Sequence, residues 1–257
     1  MTSLSSKPNY HENIHTNSPP QASFVSSRFL TALKILYRET SSALIDLVYP
    51  PRCVSCRRLL NTLFCQYCIA EIIPPNDTAP ILELDDHIAV GIHRGSLRHA
   101  IHALKYENLP EIANILGYLL AQVIQQKKWH FDTLIPVPLH ADRQRERGYN
   151  QAIELAQVAA NYLECAILPN ALYRSIATTS QVGKNFYERQ QNVKDAFAVA
   201  PEYVAQLHNT HVILIDDVCT TGATLGACAT ALRQVGVKSI YAATVSRADM
   251  QTSASVA

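Results

Sequence analysis

At 257 residues the chain has room for one sizeable α/β domain with something small beside it. Its 22 Lys and Arg nearly cancel 21 Asp and Glu, so no global basic field advertises nucleic acid or an anionic membrane surface. Apolar runs of only a few residues fall far short of the roughly 18–20 that cross a bilayer, which excludes a transmembrane helix.

The first 25 residues ("MTSLSSKPNYHENIHTNSPPQASFV") are rich in Ser, Asn, His and Pro and poor in aliphatics. They cannot offset the entropy of ordering, and residues 1–25 are expected to be a disordered tail. They also lack the charged start, apolar core and cleavage site of a signal peptide. Seven cysteines, an odd number containing two CxxC pairs, fit a reducing, cytoplasmic setting.

Across 26–50, Phe29, Leu33, Leu36, Tyr37, Ala43, Leu44 and Leu47 recur at helical spacing, with Arg28, Lys34, Arg38 and Glu39 on other faces. This predicts an amphipathic helical segment that covers a neighbouring apolar surface; a membrane-surface helix or a transit peptide has the same pattern. "YPPRC" stops it.

Residues 51–75 form a small cysteine-dominated module. Cys53, Cys56, Cys65 and Cys68 read C-x2-C, eight residues, C-x2-C. Each close pair lets two thiolates reach one ion, and four close a tetrahedral Zn²⁺ site with no open position, so the zinc is expected to be structural. Two disulfides or a redox CxxC explain two matched pairs less well. Arg52, Arg57 and Arg58 make the module basic, most simply as solvated charges.

Pro74-Pro75-Asn76-Asp77 reads as a linker, and residues 80–248 follow as the main domain, with 249–257 a flexible C-terminus. "HIAVGIHR" predicts a strand, "SLRHAIHALKY" a helix, "EIANILGYLLAQVIQQ" a longer helix, and "FDTLIPVPL" a strand leading into a loop. "YNQAIELAQVAANYL" is helical and "AILPNALYRSI" holds a short strand. "HVILIDD" is a strand, "ATLGACATALRQV" a helix ending at Gly236, and "SIYAATVSR" a last strand. Alternating strands and helices predict an α/β fold, a mainly parallel sheet flanked by helices.

"VILIDDVCTTGAT", Val212 to Thr224, carries the chemistry. Ligands in an open parallel sheet sit outside the carboxyl ends of its strands, where Asp216 and Asp217 are expected. Thr220, Thr221, Gly222, Ala223 and Thr224 then form a short loop whose amides, with the following helix N-terminus, can cradle a phosphate. Gly222 permits positive φ, and the threonine hydroxyls add donors. Two carboxylates cannot share that phosphate, so they face hydroxyls or a hydrated Mg²⁺ nearby. A ribose 5-phosphate satisfies both demands. The bland alternative is a strand followed by a helix cap at Asp217 or Thr224; no GK[ST] follows, so this is not a P-loop.

That stretch resembles the 5-phosphoribosyl 1-pyrophosphate (PRPP) signature of type I phosphoribosyltransferases. The resemblance implies that Asp216 and Asp217 hold the ribose 2′ and 3′ hydroxyls while Thr220–Thr224 wrap the 5-phosphate, with Mg²⁺ accompanying PRPP. "DRQRERG" supplies Arg143, Arg145 and Arg147 in what reads as a loop after a strand, where arginines can meet a pyrophosphate. The polar segment Thr178–Asn192, with Gln181, Lys184, Arg189 and Asn192, reads as a lid over an anionic ligand or a surface crossover. The remaining cysteines, Cys165, Cys219 and Cys228, are expected to be small buried residues; for Cys219 the lesser alternative is a reactive thiol, because a helix N-terminus beside it can lower a thiol pKa.

Taken in order, "DLVYPPRCVSC", the paired CxxC module, "GSLRHAIHALKY", "PVPLHADRQRERGYNQA", "TTSQVGKNFYERQQNVKDAF" and the PRPP loop resemble the ComF family, amidophosphoribosyltransferase-like proteins associated with natural competence. Thr2 stands where true amidophosphoribosyltransferases carry a cysteine nucleophile, so glutamine-dependent amide transfer is not expected. Three functions stay open: Mg²⁺-dependent phosphoribosyl transfer or PRPP hydrolysis, a PRPP-sensing adaptor for DNA-uptake or recombination proteins, and direct binding of single-stranded DNA. Near-neutral charge and few aromatics, one Trp, six Phe and twelve Tyr, argue against a dedicated DNA-binding protein.

Overall fold

The computed structural model describes residues 51–75, 79–175 and 196–249, all within the unit Pro50–Ala257. The expected tail at 1–25, the amphipathic segment at 26–50, the segment with Lys184 and Arg189, and all of 249–257 except Asp249 lie outside the described residues.

In chain order the elements are α1 (Gln66–Ala70), β1 (Asp86–Ile92), α2 (Gly95–Tyr106), α3 (Ile112–Lys127) and β2 (Thr133–Pro136). There follow α4 (Ala141–Arg147), α5 (Gln151–Leu163), β3 (Ala166–Ile167), β4 (Leu172–Arg174) and β5 (Phe197–Val199). A 3₁₀ turn (Pro201–Tyr203), α6 (Val204–Leu207), β6 (His211–Cys219), α7 (Ala223–Gln234) and β7 (Ser239–Arg247) complete the list.

Five strands form one parallel sheet in the order β1-β7-β6-β2-β3, and β4 and β5 pair antiparallel beside it. This is the mainly parallel, helix-flanked architecture that the alternating pattern predicts. β6 lies near its centre, paired on both sides and covered on both faces, which is why Val212–Ile215 is a continuous apolar run instead of an alternating one. Ile213 and Ile215 join Leu104, Leu116, Leu120 and Leu155 in the core under α2, α3 and α5. Val212 and Leu214 pack with Ile135, Leu172, Cys228 and Leu232 on the opposite face, under α7. Each such side chain, fully buried, contributes roughly 1.5–3 kcal/mol.

The four-cysteine segment packs directly against this core. Cys53, Val54, Phe64, Cys65 and Cys68 share one cluster with Val90 and Leu97. The Ser96 hydroxyl at the start of α2 donates to the Cys68 carbonyl at 2.6 Å, and the Ile92 amide donates to Ile73 O at 2.8 Å.

Two local readings change. "DRQRERG", expected as a loop, forms the helix α4: the His140 ring accepts a hydrogen bond from the Asp142 amide, and Gly148 at φ +78° ends the helix in the left-handed region. "AILPNALYRSI" holds two strands, not one, because the chain turns at Pro169-Asn170 between β3 and β4.

Candidate functional site

The order of the strands sets the place of the site. From β2 the chain passes through α5 to β3 on one side, whereas from β6 it passes through α7 to β7 on the other. Ligand crevices open at such a reversal, outside the carboxyl ends of the strands. The register adds a second feature. β2 pairs with β6 only as far as Pro136 opposite Ile215, with one further bond from the Val137 amide to Ile215 O at 2.9 Å. β6 continues along β7 to Cys219 opposite Arg247. The strand therefore runs two residues past the expected end at Asp217, and both aspartates overhang the gap where β2 has left the sheet.

Their side chains take different surroundings. The Asp217 carboxylate meets Lys105 Nζ from the last turn of α2 at 2.7 Å. The Asp217 amide donates to Asp216 Oδ1 at 2.8 Å. Burial, reinforced by the neighbouring Asp217 charge, pushes the Asp216 carboxyl up to about 7. An acid held near neutrality in a cleft is the kind of group that a ligand's hydroxyls or a cation would ionise.

Past β6 the chain turns through Thr220–Gly222 into α7. Gly222 is the N-cap at φ +79°, and no side chain caps this helix through the usual N-cap bond. The Thr221 hydroxyl reaches the Ala223 amide at a long 3.4 Å, so the first-turn amides are left largely open to an anion. Thr220 and Thr224 line the cleft with Asp216 and Asp217. Gly222 is also pressed from behind: a Cβ there would lie 2.7 Å from Ile81 Cγ1 and 2.8 Å from its Cδ1. Gly222→Ala combines this overlap with a left-handed backbone, and we expect a loss of roughly 1–3 kcal/mol in urea unfolding. An unchanged midpoint would show that the loop is not held in this conformation.

The opposite wall is cationic. α4 spaces Arg143 and Arg147 one turn apart, and both line the cleft with His140, Asn150 and Gln151. Arg147 donates to Gln151 Oε1 at 3.0 Å and lies over the Tyr106 ring. Arg145 points elsewhere, pairing with Asp142 and lining a second, open hollow of about 450 Å³ beside Tyr106 and Tyr149. The cleft itself encloses about 270 Å³. The structure thus brings together Asp216, Asp217, Thr220, Thr224, Arg143 and Arg147; Lys184 and Arg189 lie outside the described residues.

Sequence reasoning missed three contributors. Lys105 and Arg174 line the cleft, as does Gln151, whose buried Nε2 has no hydrogen-bond partner among the described residues. Lys105 lies inside the "GSLRHAIHALKY" block, and its neighbourhood was legible although its direction was not. Cys219 is buried, and desolvation raises its thiol pKa. Its place beside a helix N-terminus does not make it a nucleophile.

Away from the cleft, Cys53, Cys56, Cys65 and Cys68 converge, their sulfurs all within 4.8 Å of one another. The Cys53–Cys68 and Cys56–Cys65 sulfurs are 3.7 Å apart. Four thiolates bound tetrahedrally at ~2.3 Å from one ion stand ~3.8 Å apart, so the spacing fits a tetrathiolate metal site. Without a metal the four thiols do not ionise alike: burial opposes ionisation of Cys53, yet the amides of Cys56, Cys65 and Ser55 lower it to about 6, whereas burial pushes the Cys68 thiol up to about 12. A left-handed Arg57 turns the first CxxC back, and Cys65 stands at the start of α1.

A parallel sheet with paired acids and an uncapped helix start at its reversal defines a phosphoribosyltransferase-type domain. The phosphoribosyl transferase domain family matches residues 102–255, more than half of the chain. Competence protein F of Haemophilus influenzae is 34% identical over 169 residues, covering 64% of this chain and 73% of that protein. DNA utilization protein YhgH of Escherichia coli K12 is 30% identical over 60% of this chain and 68% of its own. Competence protein ComFC of Bacillus subtilis is 32% identical over 60% and 61%. The chain belongs to the ComF family of the phosphoribosyltransferase superfamily. Among solved structures, glutamine PRPP amidotransferase from B. subtilis aligns over 52% of this chain and only 26% of its own, with 17% identity and a TM-score of 0.37. No helix among the described residues is long and apolar enough to cross a membrane.

Proposed function

We propose that the cleft holds PRPP, or a closely related ribose 5-phosphate ligand, together with Mg²⁺. The observation that carries this reading is the overhang of Asp216 and Asp217 directly before an uncapped helix start. Carboxylates suited to vicinal hydroxyls stand one short loop from amides suited to a phosphate. In this reading Asp216 and Asp217 take the ribose hydroxyls, and Thr220, Thr221, Gly222, Ala223 and Thr224 take the 5-phosphate. Arg143 and Arg147 meet a pyrophosphate at C1, with Arg145, Lys184 and Arg189 as further candidates. Bound Mg²⁺ would supply charge neutralisation at that pyrophosphate. The four cysteines hold one structural Zn²⁺.

The names of the relatives, competence and DNA utilization proteins, support a role in the handling of incoming DNA during natural transformation, and the unpaired cysteines suit a cytoplasmic setting for it. DNA-uptake or recombination proteins, or single-stranded DNA itself, are the partners that this role implies.

The raised Asp216 carboxyl supplies a pH test. Its folded value of about 7 lies above the ordinary carboxylate value, so the ligand-free protein binds an extra proton between the two. Stability from this group is present at acid pH and lost as pH rises through about 7. Ligand binding needs the ionised acid and runs the other way. Calorimetry with PRPP and Mg²⁺ should show affinity rising from pH 6 to pH 8, and Asp216→Asn should flatten that rise while stabilising the ligand-free protein at pH 8. Absence of binding at every pH would reject the reading.

A further inference from the structure

We infer that Lys105 makes the cleft discriminate a pyrophosphate-bearing ribose ligand from ribose 5-phosphate, by exchanging its ion pair with Asp217 for the pyrophosphate. The inference rests on the ribose-phosphate reading above and adds the part of the ligand on which selection acts.

The backbone that carries Lys105 is anchored at both ends of α2, and among the described residues the side chain is engaged only at its tip, by Asp217. α2 is anchored at its start by the Ser96 hydroxyl on the Cys68 carbonyl. At its end the Tyr149 hydroxyl donates to the Leu104 carbonyl. The Lys105 side chain is 19% exposed and its ammonium lies 2.7 Å from an Asp217 carboxylate that is 12% exposed. Lys105 borders both the ribose cleft and the second hollow, and Arg147 does the same. The four-carbon stem can therefore turn from Asp217 towards the arginine wall without any movement of the helix.

Without ligand, Lys105 masks one of the two acids. A ribose hydroxyl that approaches Asp217 must displace a charge-assisted bond from a site with little water, and a neutral hydroxyl is the weaker partner. Ribose 5-phosphate brings its only anionic group to the Thr220–Thr224 end, so nothing draws Lys105 away. A pyrophosphate at C1 lies towards Arg143 and Arg147. There it offers Lys105 a new counter-ion and leaves Asp217 free for the sugar. Arg143 and Arg147 alone attract the pyrophosphate but do not unmask the acid; Lys105 couples the two events.

The test is calorimetry with PRPP and with ribose 5-phosphate, both with Mg²⁺, on the full chain and three variants. In the unmodified protein PRPP binds more tightly. Lys105→Met lowers PRPP affinity on the order of tenfold to a hundredfold while ribose 5-phosphate affinity holds or rises, so the preference collapses. Lys105→Arg restores part of it. Asp217→Asn releases the lysine without removing it: both ligands bind more weakly, and the preference for PRPP is kept or widened. Equal losses for the two ligands in Lys105→Met would overturn the inference, because Lys105 would then only orient Asp217. So would an unchanged preference. If Lys105→Met does not fold, a narrowed preference in Asp217→Asn overturns it instead. An unmodified protein that binds neither ligand rejects the ribose-phosphate reading itself, a result distinct from these.

Discussion

The double variant Asp216→Asn, Asp217→Asn should lose PRPP affinity by about 10²–10⁴-fold, the sum of two charge-assisted contacts at roughly 1.5–3 kcal/mol each. The fold should survive. Asp216→Asn relieves a buried acid whose carboxyl burial and the Asp217 charge already push up to about 7. Asp217→Asn leaves Lys105 without its 2.7 Å partner, and the two effects on stability oppose each other. Neither aspartate belongs to the apolar clusters that hold β6 in place. Calorimetry reads the affinity and thermal unfolding reads the fold. Full binding by the double variant would show that the acids are part of the strand and not of a ligand site.

The second large effect concerns the cysteines. Elemental analysis of the purified protein should find about one zinc per chain, lost in Cys65→Ser, Cys68→Ser. Binding of a structural zinc by four thiolates supplies on the order of 10 kcal/mol of apparent folding free energy. The damage should spread beyond residues 51–75, because Cys53, Phe64, Cys65 and Cys68 share a core cluster with Val90, Leu97 and Leu104. Removing the metal would loosen the surface on which α2 rests, and α2 carries Lys105 to the cleft. Thermal unfolding should therefore shift to markedly lower temperature or lose its cooperativity. A metal-free protein that melts like the untreated one would refute the structural-zinc reading.

The sequence made the sheet legible because apolar period and turn chemistry are local. Val212–Ile215, a short branched apolar run closed by two acids and a glycine loop, reads as a strand, and the long apolar stripe of Ile112–Ile124 reads as a helix. The cysteine site was legible for the same reason, since each CxxC places its two ligands by chain geometry alone. α4 was not. Its residues 141–147 carry no apolar stripe, and the helix is set by the His140 cap and by Gly148 in the left-handed region. From charge alone such a run reads as a solvated loop.

The candidate site was legible in its acids, its phosphate loop and the arginines of 143–147, and hidden in Lys105 and Arg174. Two acids before a hydroxyl and glycine loop point to one kind of ligand without any tertiary knowledge. Lys105 in the last turn of α2 looks like an ordinary lysine at a helix C-terminus, favoured there by the helix dipole. Only the packing of α2 on the face of β6 that carries Ile213, Ile215 and Asp217 turns it into a partner for Asp217. Arg174 is similar: it enters from β4, which pairs with β5 through residues distant in sequence. Arg143, Arg145 and Arg147 looked equivalent as a loop, and the helical turn separates them, with Arg143 and Arg147 on the cleft and Arg145 on the second hollow.

A crystal structure of the protein soaked with PRPP and Mg²⁺ should show the 5-phosphate against the amides of Thr220–Thr224, the ribose hydroxyls on Asp216 and Asp217, and the pyrophosphate beside Arg143, Arg147 and a Lys105 turned away from Asp217. A ligand in the reverse orientation, with its pyrophosphate on the Thr220–Thr224 loop, or a cleft that stays free of ligand at saturating concentration, would contradict this reading.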